Sequence, residues 1–442
     1  MKTQGVRNDV PIDLGVSKKE TPLGERKSIS FLLGAGFSVP KGYPTGKDVN
    51  DALENFDQFP IDFSPAGELT ISMDGNTPQF SIFGQNQFQK FFTFCKRLIK
   101  KYTILHSGFD YEDFFDFIKS KEVFFPEYDI LCNDLIDDFN NYQSFVWGIE
   151  QIYNQMVGYI IHDGEGLSWY DGEPNRLGFI EGYDGILNVI QSWSKDFIVN
   201  VHTLNHDMLF ESFRRTEYLA GQISDGFDEY GSPYYGRLHL GNASYNVRLE
   251  RYKARYNTPV RLYKLHGSLD YILYYRTIDN CILIPDNFVK LRQKMSPMDL
   301  MKARKNRMGY EKYPFAYHAD FLTGSKHKIK RYSEPLLFSK LFKRFRNNLR
   351  KAEILVIIGY GGKDKKINEM IIEHFDFNKR PVFIFDPYPS DALIKLASSL
   401  NTNVIEKSVE MINEKLRNYT KLPEEQQKYY TSMGFQCTIS KV

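Results

Sequence analysis

Turns rich in glycine and polar residues follow several apolar runs of this sequence, and the first turn is a candidate anion site. Ser28–Leu33 leads directly into GAGFS, residues 34–38. Glycine lets the backbone approach a phosphate closely, and a helix that begins at such a turn would present free amide groups to it. The turn alone is a weak signal, because the dinucleotide fingerprint G-x-G-x-x-G fails at its third glycine, where Val39 stands.

A second polar turn, TLNHD at residues 203–207, follows the apolar run that starts at Phe197. Open α/β sheets bind ligands at the carboxyl ends of their strands, so Asn205 and Asp207 would reach into that crevice. Asn and Asp are also ordinary helix N-caps, and this interpretation stays open beside the ligand-binding one.

Three further strand ends carry candidate groups. KLHGS, residues 264–268, places His266 after an apolar run, where it is either a catalytic base or a hydrogen-bonded structural histidine. GYGGKD, residues 359–364, is another glycine-rich turn after such a run. Asp386 follows Val382–Phe385, at a position where a carboxylate can meet a ribose hydroxyl.

These turns need strands to position them. Short β-branched and aromatic runs interleaved with helical periodicity predict an α/β fold with a mostly parallel sheet, since buried parallel strands are continuously apolar. The predicted strands are Ser28–Leu33, Phe197–Thr203, Leu262–Leu265, Ile354–Ile358 and Val382–Phe385.

Between the first two strands, apolar residues at helical spacing predict a mainly helical insertion over residues 52–188. The pattern is clearest at Asn86–Lys101, Glu112–Lys119 and Tyr142–Ile161. Residues 1–27 and 421–442 are predicted to be tails of one domain that spans residues 28–420.

The composition is that of a globular chain, with 42% hydrophobic and 25% charged residues, and it excludes a disordered or collagen-like protein. No apolar run approaches the roughly 18 residues of a membrane helix, and the N-terminus has no apolar signal core. We therefore expect a cytoplasmic protein without membrane contact. The 4 cysteines form no C-x-x-C pair, so neither a disulfide framework nor a zinc site is expected.

Charge is unevenly distributed although the formal net charge is only +2. Lys290 to Lys351 holds 18 basic against 4 acidic residues, whereas Asp110 to Asp138 holds 10 acidic against 2 basic residues. Solvated helix faces, or pairing of the two stretches, explain both. A groove for nucleic acid or a partner protein is the alternative for the basic stretch, although no nucleic-acid-binding motif accompanies it.

In this order and at strand ends, the motifs GAGFS, TLNHD, KLHGS and GYGGKD resemble the sirtuin family, particularly the sirtuin-like domains of bacterial anti-phage defence proteins. The resemblance covers roughly residues 28–50 and 190–420 and leaves the helical insertion outside it. It implies a Rossmann-like, NAD-binding domain with helices on both faces of the sheet.

The resemblance also implies roles for individual residues. Asn205, Asp207 and His266 match the family's catalytic residues, and the first two match the pair at the nicotinamide ribose and carboxamide. The residues implied to contact the cofactor are Gly34, Ala35, Gly36, Ser38, Thr203, Asn205, Asp207, Gly359, Tyr360 and Asp386. Gly361 departs from the pattern, because the defence relatives usually carry serine there.

The missing cysteine pairs bear on the reaction type. Protein-deacylating sirtuins build a zinc module on two C-x-x-C pairs, so their absence here argues against deacylation. Cleavage of NAD itself needs only the cofactor pocket. The resemblance therefore implies a nicotinamide-releasing NAD hydrolase, with NAD as substrate and no zinc, that depletes NAD in phage-infected bacteria.

Relatives of this kind are regulated by fused sensor domains or by separate proteins, including HerA-like ATPases and short Argonautes. We expect a homo-oligomer or a partner chain, with a HerA-like ATPase as one candidate partner. Two other classes of function stay open. One is a non-catalytic module that senses NAD or ADP-ribose, and the other is a nucleic-acid-binding or processing subunit of a defence complex.

Overall fold

The computed structural model describes residues 22–56, 61–63, 69–71, 82–119, 142–162, 181–240, 243–278, 282–292, 295, 297–304, 309–311, 315–316, 319–322, 326–412 and 416. Its strands are β1 (Ser28–Leu33), β2 (Ile61–Phe63), β3 (Leu69–Ile71), β4 (Ile198–Thr203), β5 (Ile223–Ser224), β6 (Gly226–Asp228), β7 (Tyr234–Leu240), β8 (Ala243–Arg248), β9 (Arg251–Arg255), β10 (Val260–Lys264), β11 (Tyr271–Ile278), β12 (Ile282–Lys290), β13 (Leu300–Ala303), β14 (Tyr310–Glu311), β15 (Ala352–Ile358), β16 (Val382–Phe385) and β17 (Val404–Ile405). Its α-helices are α1 (Gly46–Glu54), α2 (Ile82–His106), α3 (Tyr111–Lys119), α4 (Tyr142–His162), α5 (Asp184–Ser194), α6 (Leu209–Ser212), α7 (Lys326–Arg331), α8 (Phe338–Lys351), α9 (Lys365–His374) and α10 (Asp391–Ser399).

A seven-stranded sheet in the order β17-β16-β15-β1-β4-β10-β5 forms the centre of the fold, and all of its pairings are parallel. The five predicted strands are β1, β4, β10, β15 and β16, with bounds that differ by no more than two residues. Every residue of β4 is buried. The predicted α/β fold class with a mostly parallel sheet is confirmed.

Both faces of the sheet are covered, because side chains alternate along each strand. Ile29, Phe31 and Leu33 of β1 pack into one core, which also holds the buried face of α5. Leu32 points into the opposite core. There the buried face of α8 covers the sheet, and its members recur at helical spacing: Phe338, Leu341, Phe342, Phe345 and Leu349.

The described residues between β1 and β4 are mainly helical. They comprise α1 to α5 together with the short hairpin of β2 and β3. The three predicted helical stretches lie within α2, α3 and α4. These helices share a core of their own, separate from the two sheet cores. Helix α1 begins at a capping box, because Thr45 and Asp48 each accept the other's backbone amide.

A second β region between β5 and β15 was not predicted. It consists of two antiparallel sheets, ordered β11-β12-β9-β6 and β14-β13-β7-β8. Most residues of β8 are exposed, and β9 carries three charged residues, so neither strand has the continuous apolar run by which the parallel strands were recognised. The tails predicted at residues 1–27 and 421–442 lie largely outside the described residues.

The acidic and basic stretches meet in the structure. Glu112 of α3 pairs with Lys328 of α7 at 2.9 Å. Within the basic stretch, Lys290 pairs with Asp225 and Arg331 pairs with Asp320. Pairing of the two stretches, one of the explanations considered for the uneven charge, therefore accounts for part of it.

Candidate functional site

The predicted site residues follow five adjacent strands, in the sheet order β16-β15-β1-β4-β10. Because parallel strands present their carboxyl ends at one edge, all the motif turns lie along the same edge of the sheet. The strand order reverses at β1, which has β4 on one side and β15 on the other. Such a reversal opens a crevice, and ligands of open α/β sheets bind there.

The turns after β1 and β15 touch each other at this reversal. The Gly36 amide donates to the Gly359 carbonyl at 3.0 Å, and the Gly34 amide donates to the Ile358 carbonyl at 3.0 Å. A Cβ on Gly34 would lie 2.5 Å from the Gly359 oxygen, and Gly359 itself has a φ of +60°. Contact between the two turns therefore requires glycine at these positions.

The same contacts correct one detail of the predicted anion site. The element after Gly34 is a single 3-10 turn, Ala35–Phe37, rather than the start of an α-helix. The amides of Gly34 and Gly36 already have protein acceptors, and the Phe37 amide bonds back to the Gly34 carbonyl. These three amides are not free for a phosphate, contrary to the expectation from the GAGFS motif.

Asn205 connects the turn after β4 to the turn after β1. Its Nδ2 donates to the Gly34 carbonyl at 2.9 Å and to the Ser38 Oγ at 3.0 Å. Its backbone amide donates to the Thr203 Oγ1 at 3.0 Å, so Thr203 shapes the turn that holds it. The Asn205 side chain is half-buried and is not used as a helix cap.

Asp207 is buried beside Asn205. The Ser38 hydroxyl donates to its carboxylate, so Ser38 contacts both predicted catalytic side chains of this turn. Burial raises the pKa of Asp207, although the nearby Lys264 ammonium opposes this effect. Its Oδ1 also accepts the Leu209 amide at 3.0 Å, but the N-cap residue of α6 is Met208, so Asp207 does not cap that helix.

The turn after β10 is bonded to the turn after β4. The Leu269 amide donates to the His206 carbonyl at 3.1 Å, and the Leu265 amide donates to the Thr203 carbonyl at 2.9 Å. The fully buried Lys264 ammonium donates to the Asp207 carbonyl and pairs with Glu211 at 3.3 Å. These contacts hold the turn that carries His266 against the turn that carries Asn205.

His266 is buried, and the centroid of its ring lies 6.2 Å from that of His206. Its Nε2 lies 3.5 Å from Oδ2 of Asp364. Burial lowers the pKa of His266, the Lys328 ammonium lowers it further, and the Asp364 carboxylate opposes both effects. A neutral imidazole is the form that can accept a proton.

Two predicted cofactor contacts after β15 and β16 have other partners in the structure. The Tyr360 hydroxyl donates to Oδ1 of Asn368 at 2.8 Å, and the ring is buried. The Asp386 carboxylate accepts the Tyr388 amide at 2.9 Å and is half-buried, which raises its pKa. The Tyr388 ring next to it is 89% exposed.

The sequence analysis gave no role to three residues near His266. Asp364 ends the quoted motif GYGGKD and stands directly before α9, Lys328 lies in the basic stretch, and Glu112 lies in the acidic one. The charge asymmetry was a signal for the last two.

Among the residues that the structure describes, no group of three or more His, Cys, Asp or Glu side chains could hold a metal ion. None of the helices in this described part has the length and apolar character that a bilayer span requires.

Solved structures of Sir2 homologues resemble this chain weakly. A Sir2 homolog–NAD complex is 8% identical, with 90% of this chain and 91% of the other covered and a TM-score of 0.37. A mutant Sir2 homologue bound to ADP ribose is 10% identical, with 90% and 94% covered and a TM-score of 0.38. Both similarities are too weak to bear on the function of this chain.

No curated protein sequence matches the chain. A protein family described as a SIR2-like domain does match it, over residues 199–405. The matched segment begins in β4 and ends in β17, so it contains Asn205, Asp207 and His266 but not the turn after β1. Residues 199–405 therefore match a SIR2-like domain, and they make up slightly less than half of the chain.

Proposed function

We propose that this protein is an NAD glycohydrolase that releases nicotinamide. The observation that supports it best is the hydrogen bonding between the turns after β4 and β10, because these two turns carry the amide, the carboxylate and the imidazole of the proposed site. The SIR2-like match covers these three residues.

The departure of nicotinamide needs no general acid. Nicotinamide leaves as a neutral molecule from a cationic ring nitrogen, and positive charge develops on the ribose as the bond breaks. The protein must hold this geometry and deliver water. In our proposal Asp207 binds the carboxamide, Asn205 positions the water, and His266 accepts a proton from that water or from a ribose hydroxyl.

The nucleotide would lie across the crevice at the β1–β15 reversal. Gly34, Ala35, Gly36 and Ser38 would line its phosphate side, with Thr203 shaping the adjacent turn. Gly359, Tyr360 and Asp386 would lie toward the adenosine end. Because three amides of the GAGFS turn are occupied, the small size of this turn, rather than its free amides, would admit the phosphates.

Incubation of the purified chain with NAD and chromatography of the products tests the proposal. Release of nicotinamide is expected, and His266→Ala should lower its rate by about 10²- to 10⁴-fold because general-base help is lost. His106→Ala is the matched control, because His106 is an exposed imidazole on α2. Tight NAD binding without nicotinamide release would instead support the sensor alternative.

We further propose that the activity serves anti-phage defence in the bacterial cytoplasm and is controlled by assembly. A purified HerA-like ATPase from the same genome is the first partner to test, with size-exclusion chromatography and nicotinamide release as readouts. We expect co-elution and a changed rate. Separate elution and an unchanged rate would contradict control by this partner, and light scattering of the chain alone then tests control by self-association.

A further inference from the structure

A carboxylate that the proposed reaction does not use faces the predicted base. Nε2 of His266 lies 3.5 Å from Oδ2 of Asp364, and the two side chains are only 6% and 12% exposed. In the part of the chain that the structure describes, Nε2 of His266 is a buried nitrogen without a hydrogen-bond acceptor within normal geometry. Asp364 is therefore the carboxylate in position to accept a hydrogen bond from Nε2 of His266.

Asp364 is itself held from several sides. Its Oδ1 accepts the amides of Lys366 and Ile367 at 3.1 and 3.2 Å, which makes it the N-cap of α9. Its Oδ2 lies 3.1 Å from the Lys328 ammonium and 3.2 Å from the Tyr332 hydroxyl. Oδ1 of Asp364 thus caps α9, while Oδ2 contacts the His266 imidazole, the Lys328 ammonium and the Tyr332 hydroxyl.

Lys328 links this carboxylate to the helical insertion. Its ammonium, on a side chain only 6% exposed, lies 2.9 Å from Oε2 of Glu112 on α3. The positive charge of Lys328 favours the ionised form of the Asp364 carboxylate beside it. The two contacts form one continuous chain of charges from α3 to the imidazole.

We propose that Asp364 is a positioning residue for His266, holding the imidazole through Nε2. Lys328, shared with Glu112, in turn holds the Asp364 carboxylate. An imidazole that directs its Nε2 proton toward Asp364 keeps Nδ1 as the basic nitrogen. This inference rests on the proposed function for its role in turnover, but the coupling of the side chains does not depend on turnover.

The charges around His266 predict opposite effects of two substitutions. The groups that face it are Asp364, Lys328, Tyr332, Glu112 and His206. The Asp364 carboxylate raises the pKa of His266 and the Lys328 ammonium lowers it. Asp364→Asn should therefore lower the pKa of His266, and Lys328→Met should raise it.

The substitutions are chosen to preserve the fold. Asn caps helices about as well as Asp, so Asp364→Asn keeps the start of α9 while it removes the charge. Asp320→Asn is the matched control, because Asp320 is 11% exposed and pairs with Arg331 at 2.7 Å, one turn along α7 from Lys328. We expect this control to lose stability but to leave the pKa of His266 unchanged.

The pKa of His266 is measured by NMR on chain labelled at the histidine ring carbons, with the signal assigned by its loss in His266→Gln. Opposite shifts in Asp364→Asn and Lys328→Met, with none in Asp320→Asn, support the proposal. Unchanged values, or shifts in the same direction, overturn it. If Asp364→Asn does not fold, Lys328→Met alone decides by the sign of its shift.

Kinetics test whether the coupling serves the reaction. Asp364→Asn should lower kcat by about 10- to 100-fold with little change in KM, because a misplaced base loses rate rather than binding. The acid limb of the pH profile of kcat should move with the pKa of His266. Asp364→Glu keeps the negative charge and should therefore retain part of the parental kcat. A parental chain without nicotinamide release would refute the proposed function, whereas the NMR titration would still decide on Asp364.

Discussion

Replacement of Gly359 by alanine should weaken the contact between the two glycine turns. A Cβ at this position would lie 2.3 Å from the Phe37 nitrogen and 2.4 Å from the Gly36 carbonyl carbon. Both neighbours are backbone atoms, so neither can rotate away. The φ of +60° adds strain for any residue with a side chain.

The size of the effect follows from these two causes. A left-handed backbone conformation costs an alanine about 1 to 2 kcal/mol. Overpacking of a tight contact costs about 1 to 3 kcal/mol. The free energy of unfolding should therefore fall by about 2 to 5 kcal/mol. With an unfolding entropy of about 2.1 cal/mol/K per residue, this lowers the thermal midpoint by about 2 to 5 °C.

Thermal denaturation followed by circular dichroism measures this difference, and the same loop supplies the control. Gly361 is exposed, and a Cβ there would meet nothing within 4 Å. Gly361→Ala should therefore denature at the parental temperature. The reasoning is wrong if Gly359→Ala keeps the parental midpoint, or if both variants lose the same amount.

Three further predictions follow from described contacts. Asn205→Ala removes the bonds to the Gly34 carbonyl and Ser38 hydroxyl, and nicotinamide release measured by chromatography should fall by at least about 100-fold. In our proposal the turn after β15 lies toward the adenosine end of NAD, so the hydroxyl that Gly361→Ser adds there can donate to the nucleotide. Calorimetry should show tighter NAD binding, at an unchanged thermal midpoint because the added atoms meet nothing. Burial lowers the pKa of His202 to about 3, whereas the unfolded residue titrates near 6.5, so the unfolded state binds the extra proton. The free energy of unfolding should therefore fall as the pH drops below about 6.5. In His202→Leu this fall should be smaller than in the parental chain by about 1.4 kcal/mol per pH unit, as measured by urea denaturation at a series of pH values.

The parallel strands were predictable because their burial leaves a continuous apolar signature. No residue of β4 or β15 is exposed, and β15 contains the unbroken apolar run Ile354–Ile358. The antiparallel strands between β5 and β15 were missed for the opposite reason. In β8, for example, most residues are exposed, so the segment has no apolar run.

The site was predictable as far as its residues follow those strands. Asn205, Asp207 and His266 stand directly after β4 and β10, and adjacent parallel strands bring such positions together. Lys328 and Glu112 could not be placed in this way, because their contact joins two helices more than 200 residues apart. In the sequence, only the opposite net charges of the basic and acidic stretches indicated this contact.

The order of synthesis determines when the edge of the sheet can exist. The central strand β1 is among the first described segments of the chain, yet its partner β15 follows about 320 residues later. At translation rates of about 5 to 20 residues per second, β1 waits between about 16 and 65 seconds for that neighbour. The two glycine turns cannot meet before then, so a nascent chain has no complete crevice, and any NAD-consuming activity would begin only after most of the protein has been made.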